Sequence, residues 1–119
     1  MIMDKIYFTI TGTRHRLGQD FFKKGMKVEL VKEPDNEHDK EAIKVMLDGF
    51  HVGYVANSTY TVLEGCMSAG RVYDKIGDVA YGKVKIITDR GIICKLTKKS
   101  LLENQIIYSA KTEEDVVDE

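Results

Sequence analysis

Glu33-Pro34-Asp35-Asn36-Glu37-His38-Asp39-Lys40-Glu41-Ala42-Ile43-Lys44-Val45 joins two strand-like runs through the only proline among 119 residues. Pro34 fixes its own φ and pushes Glu33 toward an extended conformation, so a strand running from Met26 to Lys32, with Val28 and Leu30 inward, is expected to stop there. Asp35, Asn36 and Asp39 carry side-chain acceptors that bond nearby backbone N–H groups and build a specific turn. Ile43, Val45 and Leu47 then alternate with Lys44 and Met46. Asp48-Gly49 turns the chain into a further strand from Phe50 to Val55. A dense polar turn between two core strands marks a candidate site.

Working outward, Ile6, Phe8 and Ile10 alternate with Tyr7, Thr9 and Thr11, a half-buried first strand. Gly12 and Gly18 bracket Thr13-Arg14-His15-Arg16-Leu17. Gln19 to Lys24 reads as a short helical turn ending at Gly25, with Phe21 and Phe22 as core plugs. Asn57 or Ser58 is expected to cap a helix reaching about Ala69, with Val62, Leu63, Cys66 and Met67 as its buried stripe and Gly70 as its stop. Two long strands follow, Asp78 to Thr88 and Gly91 to Lys98. The stretch from Thr97 to Ser109 fits either a final helix or an edge strand. The expected fold is mainly β (α+β): a small OB-like or SH3-like, partly open β-barrel of five to six strands, with one main helix and a short helical turn.

The length suits one domain with a real core, expected over residues 1–111. Eighteen basic and nineteen acidic residues give a net charge of −1, but five of the acids crowd the last seven positions. Without them eighteen bases face fourteen acids, a mildly basic body of +4 that fits a phosphate-binding surface without demanding one. Residues 112–119 read as a disordered acidic tail, or as an internal competitor for a basic groove. Cys66 and Cys94 lie far apart, and Met1-Ile2-Met3-Asp4-Lys5 shows no basic leader. A reducing cytoplasm, no secretion, no membrane span and no structural zinc are therefore expected.

The order Gly12, then Glu-Pro-x-Asn-x-x-Asp-x-x-Ala-Ile-x-Val over Glu33–Val45, then Val52-Gly53-Tyr54-Val55, closely resembles the HIRAN domain over about Ile6 to Leu63. The resemblance implies a module that binds single-stranded DNA, preferably at a free 3′-hydroxyl end, and that serves DNA repair or replication forks. It implies no catalytic residue and no cofactor. A helicase, remodelling ATPase or nuclease is the implied partner in trans. Carried over by position, Arg14 and His15 stand for a phosphate-binding arginine and a base-stacking aromatic. Arg16 brings charge where the family has a second aromatic. Asn36 and Asp39 match the turn, with Asp39 placed to accept a hydrogen bond from the terminal hydroxyl and to repel a phosphate. His38 replaces an aromatic that packs on the last base, Tyr54 stands where the family has a ring or histidine, and Asn57 stands where a basic phosphate ligand is common. A protein-interaction or scaffold domain that kept the barrel and lost DNA binding is the alternative reading.

Other constellations fit poorly. Gly65-Cys66-Met67-Ser68-Ala69-Gly70-Arg71-Val72 has P-loop spacing, yet lacks the lysine and the Ser/Thr. His15, Asp35, His38, Asp39 and His51 offer metal-ligand chemistry, as a metal-dependent nuclease would need, but no helical histidine pair or cysteine partner.

Overall fold

The computed structural model describes residues 5–13 and 18–104. Arg14, His15, Arg16 and the acidic tail lie outside the described residues, as does the part of Thr97–Ser109 beyond Asn104. Six antiparallel strands form a closed barrel: β1 (Tyr7–Thr11), β2 (Lys27–Lys32), β3 (Ile43–Leu47), β4 (Phe50–Val55), β5 (Val79–Thr88) and β6 (Gly91–Leu96), in the spatial order β1-β4-β3-β2-β5-β6. The expected partly open barrel is therefore closed: β1 meets β4 on one side and β6 on the other. Closure removes the unpaired strand edges that an open sheet would have to protect.

Alternation builds the interior. Phe8, Ile10, Val28, Leu30, Ile43, Val45, Val52, Ala80, Ile92 and Cys94 are fully buried, as a period of two requires when one face meets the core. Phe22 is buried and Phe21 packs against the same cluster, below the 3-10 turn Gln19–Phe21. The β3–β4 hairpin turns at Asp48 and Gly49, both with positive φ (49° and 86°), the backbone a two-residue hairpin favours. No helix among the described residues is long and apolar enough to cross a membrane.

The region after β4 differs from the sequence reading. No helix runs from Asn57 or Ser58 to Ala69; a turn forms at 58–62, and the helix α1 is Ala69–Tyr73, with Gly70 inside it and not at its stop. The reason lies in β1. Tyr7 and Thr9 accept N–H groups from this segment: Ala56 N–H donates to the Thr9 carbonyl (2.8 Å), Met67 N–H to the Tyr7 carbonyl (2.7 Å) and Leu63 N–H to Thr9 Oγ1 (3.2 Å). The segment thus lies along the part of β1 that β4 leaves uncovered, and those N–H groups are not available to a helix. Thr9, expected on the outer face, is fully buried beneath it. Of the expected helical stripe only Leu63 is buried; Val62, Cys66 and Met67 are half-buried.

Ser68 caps α1, its Oγ accepting Arg71 N–H at 3.4 Å. β6 ends at Leu96, short of Lys98. Beyond it a 3-10 turn at Lys98–Ser100 brings Leu101 into a bridge with Ile76, and a helical turn follows at 102–104. Ile76 and Leu101, both buried, close the core there with Ala69 and Val72 of α1.

Candidate nucleic-acid interface

The end of β2, the start of β3 and the ends of β4 and β1 meet at one end of the barrel, because Lys32 pairs with Ile43, Lys44 with Tyr54, and Tyr54 with Thr11. The polar turn is therefore held beside Tyr54. Its backbone is anchored by Glu33 N–H to the Ala42 carbonyl (2.8 Å), Asn36 N–H to the Glu33 carbonyl (3.0 Å) and Ala42 N–H to the Asp39 carbonyl (3.1 Å).

Asn36 organises the turn from inside. Its Oδ1 accepts the N–H groups of His38 (2.9 Å) and Asp39 (3.0 Å), and its Nδ2 donates to Glu33 Oε1 (3.0 Å). Asp39 Oδ1 accepts Glu41 N–H at 2.9 Å, while Oδ2 accepts Asn57 Nδ2 at 2.8 Å. Asn57 Oδ1 in turn accepts Gly70 N–H at 2.8 Å. A continuous chain of hydrogen bonds thus runs from the turn, through Asp39 and Asn57, to the first turn of α1. Asn57 serves α1 across thirteen residues rather than as the cap of an adjoining helix.

An open depression of about 290 Å³ is lined by Asn36, His38, Asp39, Ala42, Tyr54 and Val55. The structure brings together four of the sequence-derived site residues there: Asn36, His38, Asp39 and Tyr54. Asn57 stands just behind, bonded to Asp39. For Arg14, His15 and Arg16 the structure gives only the anchors of their loop. That loop leaves β1 two residues beyond the Thr11–Tyr54 pair, and Gly18 N–H closes it on the Thr13 carbonyl at 2.9 Å.

Among the described residues no lysine or arginine lines the depression, and the carboxylate there is that of Asp39. A carboxylate accepts from hydroxyl and N–H donors and repels phosphate. Both Asp39 oxygens already accept one protein donor each, but a carboxylate has about four acceptor directions, so room remains for a ligand hydroxyl. His38 is exposed beside it, and half-buried Tyr54 forms a T-shaped pair with the His51 ring (centroids 4.8 Å apart, 75° between planes).

Two contributors escaped the sequence reading. Glu33 accepts from both Asn36 Nδ2 and the Tyr54 hydroxyl (2.9 Å), with Lys44 Nζ 4.0 Å away, so one carboxylate joins the turn to the ring. The Asn36 hydrogen bond, then that of Tyr54, with Lys44 and His51 adding charge, holds the Glu33 carboxyl below its ordinary value despite partial burial. The Tyr54 hydroxyl thus donates within the protein, to Glu33. Gly53 is the second: a Cβ there would lie 2.6 Å from the Thr11 carbonyl oxygen and 2.8 Å from Ile10 Cγ2. A glycine inside a strand was the signal for such a close approach. Among the described residues no group of three or more His, Cys, Asp or Glu side chains is arranged to hold a metal ion.

Among solved structures, the crystal structure of a protein from Lactobacillus plantarum is 20% identical, covering 78% of this chain and 93% of that one, with a TM-score of 0.54. The crystal structure of the HIRAN domain of human HLTF is 19% identical, covering 92% and 87%, with a TM-score of 0.55. Both are alike in fold. No curated protein matches the chain. The family model of the HIRAN domain matches residues 3–86, which include β1 to β4, the polar turn and all but the last two residues of β5. The chain therefore belongs to the HIRAN domain family, a family generally associated with DNA binding.

Proposed function

We propose that this chain is a non-enzymatic module that grips single-stranded DNA at a free 3′-hydroxyl end and brings a helicase, a remodelling ATPase or a nuclease to it. The observation that carries this reading is the Asp39 carboxylate in the depression beside His38 and Tyr54, with no lysine or arginine among the described lining residues. Such a site suits a sugar hydroxyl with a base resting on a ring, and disfavours a terminal phosphate. Arg14 and Arg16 supply the forked cations for the preceding phosphates.

Titration of labelled oligonucleotides tests it. A 3′-hydroxyl end is expected to bind roughly tenfold more tightly than a 3′-phosphate end, about 1.4 kcal/mol. Asp39→Ala should erase that difference. Equal binding of both ends by the unaltered chain would remove hydroxyl capture.

The scaffold reading draws on the engagement of Asn57 and the Tyr54 hydroxyl inside the protein. Lack of any salt-sensitive affinity for oligonucleotides would favour it.

A further inference from the structure

On the outer wall of the barrel, Lys27 of β2 stands directly opposite Lys83 of β5, and Lys83 directly opposite Lys95 of β6, which in turn faces Tyr7 of β1. Three lysines and a tyrosine thus share one rung across four strands. Like charges placed directly opposite one another on a sheet are destabilising. Edge protection does not account for them, because the closed barrel has no free edge here. Neither Lys83 nor Lys85 makes an ion pair with another described residue.

Lys85 is the extra residue of a β-bulge between the Val84–Cys94 and Ile86–Ile93 pairs, a device that re-aims side chains. It lines an open depression of about 530 Å³ together with Lys5, Lys95, Tyr7, Ile86 and Ile93. Ile86 is 50% exposed. One carboxylate, Glu64, also lines it, and Glu29 lies one rung away opposite Tyr81. Cations alternating with an aromatic ring and an exposed aliphatic surface match a strand whose bases are unpaired: phosphates meet ammonium groups while base faces meet the ring. Lys27 begins β2 whereas the polar turn follows its end, so about 17 Å of strand separates the two surfaces.

We propose that this wall is a second nucleic-acid contact, which takes an internal stretch of single strand through Lys27, Lys83, Lys85 and Lys95, with Tyr7 and Ile86 against its bases. It needs no strand end and does not depend on Asp39.

The probe is an internally labelled closed circle of single-stranded DNA, which offers no end to the polar turn, titrated with the full chain across a range of salt. The unaltered chain is expected to bind the circle. Lys27→Gln, Lys83→Gln and Lys85→Gln combined should weaken this at least tenfold and lower the salt slope by about 2, at roughly 0.7 per phosphate contact on single strands. Arginine at the same three positions should keep the binding, and Asp39→Ala should leave it unchanged. Melting temperature serves as the folding control and should hold or rise in the glutamine variant, since the repulsive rung is relieved. Lys85→Glu alone, at an exposed bulge, should weaken the circle about fivefold. A circle that does not bind, or that binds the glutamine and Lys85→Glu variants as it binds the unaltered chain, would overturn the proposal. The 3′-hydroxyl preference on linear strands would be unaffected, so the two readings fail separately.

Discussion

Asn36 uses both ends of its amide inside the turn, accepting two backbone N–H groups and donating to Glu33. Asn36→Ala removes all three bonds at a half-buried position, and urea denaturation should show a loss of about 1–2 kcal/mol. Glu33 gives the turn a pH dependence. Its folded carboxyl lies below the ordinary value of 4.5, chiefly through Asn36 and Tyr54, so its contribution is complete above 4.5 and is lost as pH falls through the lower folded value. Stability measured from neutral pH downward should fall on that acid side, and Glu33→Gln should flatten this part of the curve. Asn36 and the Asp39–Glu41 bond were legible in the sequence because they are local, two or three residues apart, whereas the bond from Asn57 to Asp39 spans 18 residues. Glu33 was not legible as a partner of Tyr54, since 21 residues separate them and only the β3–β4 hairpin closes the gap.

The short pairing of β1 with β4 depends on Gly53, across which the two backbones approach too closely for a side chain. Gly53→Ala should therefore cost about 1–3 kcal/mol by thermal or urea unfolding, and should shift Tyr54 away from the turn enough to weaken DNA binding. The strands and the Asp48-Gly49 hairpin were legible because a period of two and a turn dipeptide encode them directly. The segment from Asn57 to Ala69 was not. Val62, Leu63, Cys66 and Met67 have helical spacing, but Thr9 and Tyr7 capture its N–H groups, and a contact from 54 residues away outweighs local preference. The real helix begins where Ser68 and Asn57 supply acceptors, two groups that only the fold brings together.

The barrel carries two separate surface hollows, one beside the Asp39 carboxylate at the polar turn and one beside the lysines of β5 and β6. Net charge alone, −1 for the whole chain, would not have suggested either. Their separation became visible only with strand register, which no composition encodes. Inside, Cys94 lies between Phe8 of β1 and Val84 of β5 with no exposed surface, and burial pushes its thiol up to about 12. A thiol reagent at mildly alkaline pH should thus modify Cys94 far more slowly in the native chain than in denaturant, as counted by mass spectrometry. That sulfur is a sealed clock: the pace at which it takes up a label under native conditions reports how often the staves of the cylinder spring apart, without any dye or mutation being added.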